Sequence, residues 1–294
     1  MTAPPTGYDV AVIGAGVVGC AIARELAAYR LSVVLIEARE DVGDGTSKAN
    51  TAILHTGFDA TPGTLESRLV RRGYDLLGSY ADVVGIPIER TGAILVAWEA
   101  DQCDALPALQ AKAVENGYDR TRIVSPQQVY AEVPSLRPGA LGGLVVPDES
   151  IVCGWTTTLA LATEAVLRGV DLRLRTRVES IDARADCTVL GTERGDIAAR
   201  WVVNAAGLGS DVVDRQMGSD RFTIVPRKGE LIVFDKQARP LVDRIVLPVP
   251  GRMGKGVLVS PTVYGNVMVG PTAQDVEDRT DTSTTPEGLA FLHD

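Results

Sequence analysis

The stretch YDVAVIGAGVVGCAIARELAAYRLSVVLIE, residues 8–37, carries the clearest architectural pattern in the chain. Tyr8–Ile13 is a short apolar run with β-branched residues, closed by glycine, the pattern of a strand buried on both faces. Gly16–Tyr29 sets Ile22, Leu26 and Tyr29 at helical spacing, and Leu31–Glu37 is a second apolar strand ending on an acid. Strand, glycine loop, helix and strand make a βαβ unit, whose right-handed crossover lays the second strand parallel to the first. Gly14-Ala15-Gly16-Val17-Val18-Gly19 is a G-x-G-x-x-G at the strand-to-helix turn. Gly14 permits the tight turn, Gly16 lets the backbone approach a diphosphate, and Gly19 lets helix and strand pack closely. The diphosphate is expected at the N–H groups and positive dipole end of the helix, at Gly16, Val17 and Val18. Glu37 stands about twenty residues beyond Gly14, where a carboxylate accepts from both ribose hydroxyls and repels a 2′-phosphate. NAD and FAD both fit this much. A glycine run that only makes a turn is the plainer alternative, and the flanking strands and Glu37 argue against it.

Working outward, 294 residues with 45% hydrophobic and 23% charged content suit a globular chain of about two domains. No apolar run is long enough to span a bilayer, and Met1–Tyr8 has neither the basic start nor the apolar core of a secretory signal. Cys20, Cys103, Cys153 and Cys187 are scattered, with no CxxC pair and no neighbouring histidine, so no metal site and no disulfide framework is expected. That usage points to a reducing, cytosolic setting. A net charge of −9 argues against nucleic-acid binding. Between Asp220 and Gly256, however, eight basic residues face four acidic ones. A solvated strand edge guarded by Lys and Arg explains that strip, and so does a pocket for an anionic substrate.

Helices are expected over Thr64–Val84, Asp101–Asn116, Ser125–Val133 and Gly154–Arg168, and strands at Glu89–Trp98, Val170–Leu174, Arg177–Ile181 and Arg200–Ala205. Ile224–Asp235, Arg244–Leu247, Gly256–Pro261 and Asn266–Gly270 read as an antiparallel sheet broken by Gly and Pro. Ala38–Ala52 is a long polar loop, and such loops carry function.

Asp9–Glu37 followed by Gly45-Thr46-Ser47-Lys48-Ala49-Asn50 resembles the N-terminal signature of the D-amino-acid-oxidase-like superfamily of flavoproteins. ILHTGFDATPGTL at 53–65, VPRKGE at 225–230 and MGKGVLVSPTVYGNVMVGPT at 253–272 narrow the likeness to FAD-dependent glycerol-3-phosphate dehydrogenases and L-2-hydroxyglutarate dehydrogenases. The resemblance implies FAD as cofactor and an α/β fold. A Rossmann-type FAD-binding domain with a doubly wound, mainly parallel sheet would span 1–86 and 142–217. An inserted substrate domain on an antiparallel sheet would take 87–141 and 218–284. It also implies that Gly45, Thr46, Ser47 and Asn50 belong to the diphosphate loop, and that Ala38 and Arg39 lie toward the adenine end. Val178 would touch the adenine through its backbone, and Ala205-Ala206-Gly207 would be a second, small-residue fingerprint beside the cofactor. Members of the family continue past this point, so residues 285–294 are expected to open a helix that is cut short, weakening flavin retention.

Oxidising a carbon that bears a hydroxyl sends its hydrogen to the flavin while a base takes the O–H proton, and histidine suits that task. Of the two histidines, His293 lies in the tail and His55 in the Leu54-His55-Thr56-Gly57 turn that, by resemblance, passes the isoalloxazine ring. Three readings of His55 stand open: the base, a residue that positions flavin or substrate, or a structural hydrogen bond. Arg227, Lys228, Arg252 and Lys255 are the candidates to bind a small anionic substrate. Glycerol 3-phosphate and L-2-hydroxyglutarate both need such cations. An amine or amino-acid oxidase and a cofactor-free, partner-binding fragment are the alternatives. The electron acceptor, whether a quinone, another protein or oxygen, has no signature in these residues, and any membrane contact would be peripheral, through a partner.

Overall fold

The computed structural model describes residues 6–250 and 256–293. The opening forms as β1 (Thr6–Ile13), α1 (Val17–Leu26) and β2 (Val33–Ile36). Val10–Ile13 and Val33–Ile36 are buried, as near-continuous apolar runs in a covered parallel sheet must be. The chain continues through β3 (Ile53–Leu54), α2 (Leu65–Val84), β4 (Ile88–Glu89), β5 (Ala93–Ala97), α3 (Ala100–Glu115), β6 (Arg122–Val124), α4 (Pro126–Glu132), β7 (Gly142–Val146) and β8 (Ser150–Val152). Then come α5 (Gly154–Leu167), β9 (Asp171–Arg173), β10 (Val178–Ala183), β11 (Thr188–Thr192), β12 (Ile197–Asn204) and α6 (Ser210–Gln216). Last are β13 (Arg227–Lys228), β14 (Ile232–Phe234), β15 (Ile245–Pro248), β16 (Leu258–Pro261), β17 (Val267–Gly270), β18 (Gln274–Asp275) and α7 (Pro286–His293). Local chemistry sets the helix ends. The Thr64 hydroxyl accepts the Ser67 N–H ahead of α2, and Gly85 ends that helix in the left-handed region at φ 75°. Ser125 and Gln128 cap α4 reciprocally, with Pro126 in its first turn.

Two units are assembled from interleaved segments. The first takes the residues up to Asn50, Gly154–Pro226 and Glu277–Arg279. Its six-stranded sheet runs β10-β11-β12-β1-β2-β9. β12, β1, β2 and β9 are parallel, and β10 and β11 join antiparallel at one edge. The second takes Thr51–Cys153, Arg227–Val276 and the described residues from Thr280. It holds a seven-stranded sheet β14-β17-β16-β15-β5-β7-β6, a three-stranded sheet β3-β8-β4 and the pair β13-β18. Leu95, Leu144, Val146, Ile151 and Ile245 form the centre of its core, each contributing about 1.5–3 kcal/mol of burial.

The boundaries differ from those expected at 86/87, 141/142 and 217/218, the last because residues 218–226 and 277–279 go with the first unit. Residues 51–86 and 142–153 go with the second unit, because β3 pairs with β8 and β7 pairs with β5. Glu89–Trp98 is two strands rather than one: Gly92, at φ 69°, breaks it, and β4 and β5 enter different sheets. The large sheet is antiparallel except where β15 runs parallel to β5. β3, β6, β7, β8, β11 and β18 lie where no strand is expected from the sequence. No helix among the described residues is long and apolar enough to cross a membrane.

Candidate functional site

In the first unit, the loop after β1 is shaped by what will not fit there. Gly14 sits at φ 102°, and a Cβ on it would lie 2.3 Å from the Ala205 carbonyl oxygen. A Cβ on Gly19 would lie 1.8 Å from the Gly14 carbonyl oxygen, so α1 can approach β1 this closely only with glycine. Gly16, the residue that caps α1, has extended backbone and no side chain to cap with, so the first turn presents N–H groups lacking intrahelical acceptors. The Val17 N–H is met by Ser47 Oγ at 2.9 Å, which brings the 45–50 loop onto the helix start. Asn50 holds that loop by donating to the carbonyls of Thr46 and Ser47, and the Trp155 indole donates to Lys48 at 2.7 Å.

Glu37 closes the other side. One carboxylate oxygen accepts the Ala15 N–H at 2.8 Å and the other the Arg39 N–H at 2.9 Å, leaving each oxygen a second lone pair for a hydroxyl. Its charge, after burial itself, helps push the Cys20 thiol up to about 12. That keeps the thiol protonated and donating to Ala15. The Arg39 guanidinium donates to the Asp44 carbonyl, and Ala38 is exposed. Val178 and Ala206 pack on the same core as Ile13 and Ile36, and Ala205 donates to the Ile13 carbonyl at 2.9 Å. Gly207, at φ 56°, turns the chain toward α6. A glycine-lined cradle at an open helix start, bordered by a fixed carboxylate and small residues, fits a dinucleotide diphosphate and its ribose.

In the second unit, His55 is about half exposed, and its Nδ1 lies 2.9 Å from Oε2 of Glu149, a fully buried carboxylate. Glu149 Oε1 accepts both the N–H of Thr56 at 2.7 Å and its hydroxyl at 2.8 Å. Glu149 carries no signature in the sequence. It sits between β7 and β8, and only the β3–β8 pairing brings it to His55.

The basic strip resolves into ion pairs. Arg227 grips Asp275 at 2.6 and 3.1 Å, because β13 and β18 set the two opposite each other. Lys228, almost wholly buried, donates to Asp281 at 2.7 Å and lies 3.9 Å from Glu230. Lys228 and then Ser283 hold the Asp281 carboxyl well below the usual carboxylate range. Arg221 meets Asp214, Arg239 meets Glu89, and Arg244 meets Glu132. The strip's described cations therefore mostly carry carboxylates from other segments. Arg252 and Lys255 lie outside the described residues. Glu230 also accepts from the Thr285 N–H and hydroxyl at the head of α7. No group of His, Cys, Asp and Glu suited to a metal occurs among the described residues.

Residues 9–294 match the family profile described as FAD dependent oxidoreductase. The chain is 38% identical over 285 residues to the glycerol 3-phosphate dehydrogenase of Caloramator mitchellensis, covering 97% of this chain and 59% of that protein. It is 29% identical over 276 residues to the mitochondrial L-2-hydroxyglutarate dehydrogenase of Caenorhabditis elegans, covering 90% of this chain and 63% of that one. The chain thus spans about three fifths of each relative's length. The solved L-α-glycerophosphate oxidase of Mycoplasma pneumoniae, with FAD bound, is similar with a TM-score of 0.93 at 28% identity, over 98% of this chain and 77% of that one.

Proposed function

The chain belongs to the FAD dependent oxidoreductase family, and we propose that it oxidises a small anionic hydroxy compound, glycerol 3-phosphate before others. The observation that carries the substrate is the 38% identity to a glycerol 3-phosphate dehydrogenase along nearly the whole chain. FAD, when bound, supplies the redox chemistry, accepting hydrogen and an electron pair from the carbon that bears the hydroxyl. The chain's own residues do the rest. Gly14, Gly16 and Gly19 make room for the diphosphate, the start of α1 faces it with N–H groups, and Glu37 accepts from the ribose hydroxyls. His55 takes the substrate's hydroxyl proton at Nε2, the ring nitrogen turned away from Glu149. The substrate anion is assigned to the 227–255 strip. There Arg252 and Lys255 are the first candidates, since Arg227 and Lys228 would have to exchange Asp275 and Asp281 for it.

The test is anaerobic mixing of the FAD-loaded protein with glycerol 3-phosphate and, separately, with L-2-hydroxyglutarate, following flavin absorbance and the ketone formed. Bleaching by glycerol 3-phosphate is expected, and His55→Ala should slow it by roughly 10²–10⁴ with FAD content unchanged. Bleaching by L-2-hydroxyglutarate alone would move the substrate to the second reading, which the likeness to the nematode dehydrogenase favours. Release of ammonia from an amine substrate would move the chain to the amine oxidases.

A further inference from the structure

Glu149 has no exposed surface, and a buried carboxylate persists only where donors meet both its oxygens. The register of the three-stranded sheet supplies them. Ile53 stands opposite Ile151 and Leu54 opposite Ser150, so one step further along the same antiparallel register His55 stands opposite Glu149. Oε1 is filled by the two donors of Thr56, at 2.7 and 2.8 Å, leaving Oε2 to face His55 Nδ1 at 2.9 Å. The turn that carries Glu149 is itself pinned. The Gly92 N–H donates to the Glu149 carbonyl at 2.8 Å. Next to it, the Asp148 carboxylate accepts from Tyr118 at 2.9 Å and Arg120 at 2.7 Å, and its carbonyl accepts from Tyr74 at 2.8 Å. Burial, and then the bond to Asp148, push the Tyr118 phenol up, so it stays a donor.

An ionised carboxylate only accepts, so the imidazole nitrogen facing it must carry the proton, and in a neutral ring the other nitrogen is then the acceptor. We propose that Glu149 is the positioning residue for His55: it holds the ring in the Nδ1–H form, with Nε2 turned to the substrate as the proton acceptor. This rests on the reading of His55 as the base. In the step, the substrate O–H breaks and its proton goes to Nε2. The carbon's hydrogen leaves with the C–H electron pair to FAD, and C=O forms. Glu149 keeps its contact with Nδ1 throughout and stabilises the imidazolium, the part a buried carboxylate plays beside a catalytic histidine.

The substitution Glu149→Gln has a definite sign. Thr56 still presents two donors, so the amide must turn its oxygen to Thr56 and its nitrogen to His55. Nδ1 becomes an acceptor and the proton moves to Nε2, where it blocks the reaction. The experiment is a nitrogen-15 tautomer measurement by NMR on the full chain in a His293→Gln background, which leaves His55 as the single histidine, paired with flavin reduction by glycerol 3-phosphate. The chain with Glu149 intact should show the Nδ1–H pattern and Glu149→Gln the Nε2–H pattern. Reduction in the variant should fall by roughly 10²-fold or more at unchanged FAD content. An Nε2–H pattern with Glu149 intact overturns the proposal, even if the variant fails to fold. If His55→Ala slows reduction and Glu149→Gln does not, the proposal alone fails. If His55→Ala leaves reduction unchanged, the base reading falls and the proposal with it.

Discussion

Single residues in the cradle carry two duties at once. Glu37 is both the acceptor proposed for the ribose and the group that holds the Ala15 and Arg39 N–H bonds at 2.8 and 2.9 Å. Removing its carboxylate therefore loosens the loop as well as the cofactor contact. Glu37→Ala should weaken FAD binding by about 1–3 kcal/mol, the loss usual for charge-assisted hydrogen bonds. Titration of the apoprotein with FAD, read by flavin fluorescence, measures it, and an unchanged affinity would remove Glu37 from the site. The glycines were legible in the sequence because their spacing marks the turn: Gly14 holds φ 102°, and a Cβ at 19 would meet the Gly14 carbonyl five residues back. Glu149 was not legible, because nothing within its own neighbourhood distinguishes it from any acid in a turn.

Among the elements, α2 and α4 have ends set by nearby side chains. α4 begins where Ser125, Pro126 and Gln128 dictate, and α2 begins after Thr64. Ser125→Ala removes the acceptor for the Gln128 N–H and half of the reciprocal cap. It should cost about 1 kcal/mol in a urea unfolding curve without changing its slope. A larger loss would mean that Ser125 has a tertiary role. Short strands behave differently. β3, β4, β13 and β18 are two residues each, too short for alternation to show, and they exist only because a partner strand lies beside them. The ion pair of Arg227 with Asp275 and the contact of His55 with Glu149 both hang on such strands, so composition alone could name neither partner.

The first unit is closed at the level of the whole chain by a carboxylate that gathers distant segments. Asp211, fully buried at the start of α6, accepts from Arg279 at 2.7 Å and from the Ile224 N–H at 3.2 Å, so residues 277–279 return to the unit through it. Hydrogen bonding to Arg279, followed by that to Ile224, holds its carboxyl well below the usual range. A carboxyl depressed in the folded state adds stability that is whole above about pH 4 and is lost as pH falls through the folded value. Asp211→Asn should lower the thermal midpoint at neutral pH and lose less on acidification from about pH 4 to 2. Parallel acid profiles for the two proteins would show that Asp211 is not the group being protonated. The parallel βαβ core, the glycine turn and most helices follow from periodicity and glycine spacing along the chain, and the quoted motifs carry the resemblance to flavoprotein oxidoreductases. Contacts made on folding fix which segments join which unit, that most of the strip's described cations meet acids from other segments, and that a buried carboxylate backs His55. The pairings of β3 with β8 and of β13 with β18 join residues far apart in the chain, where register rather than residue type selects the neighbour.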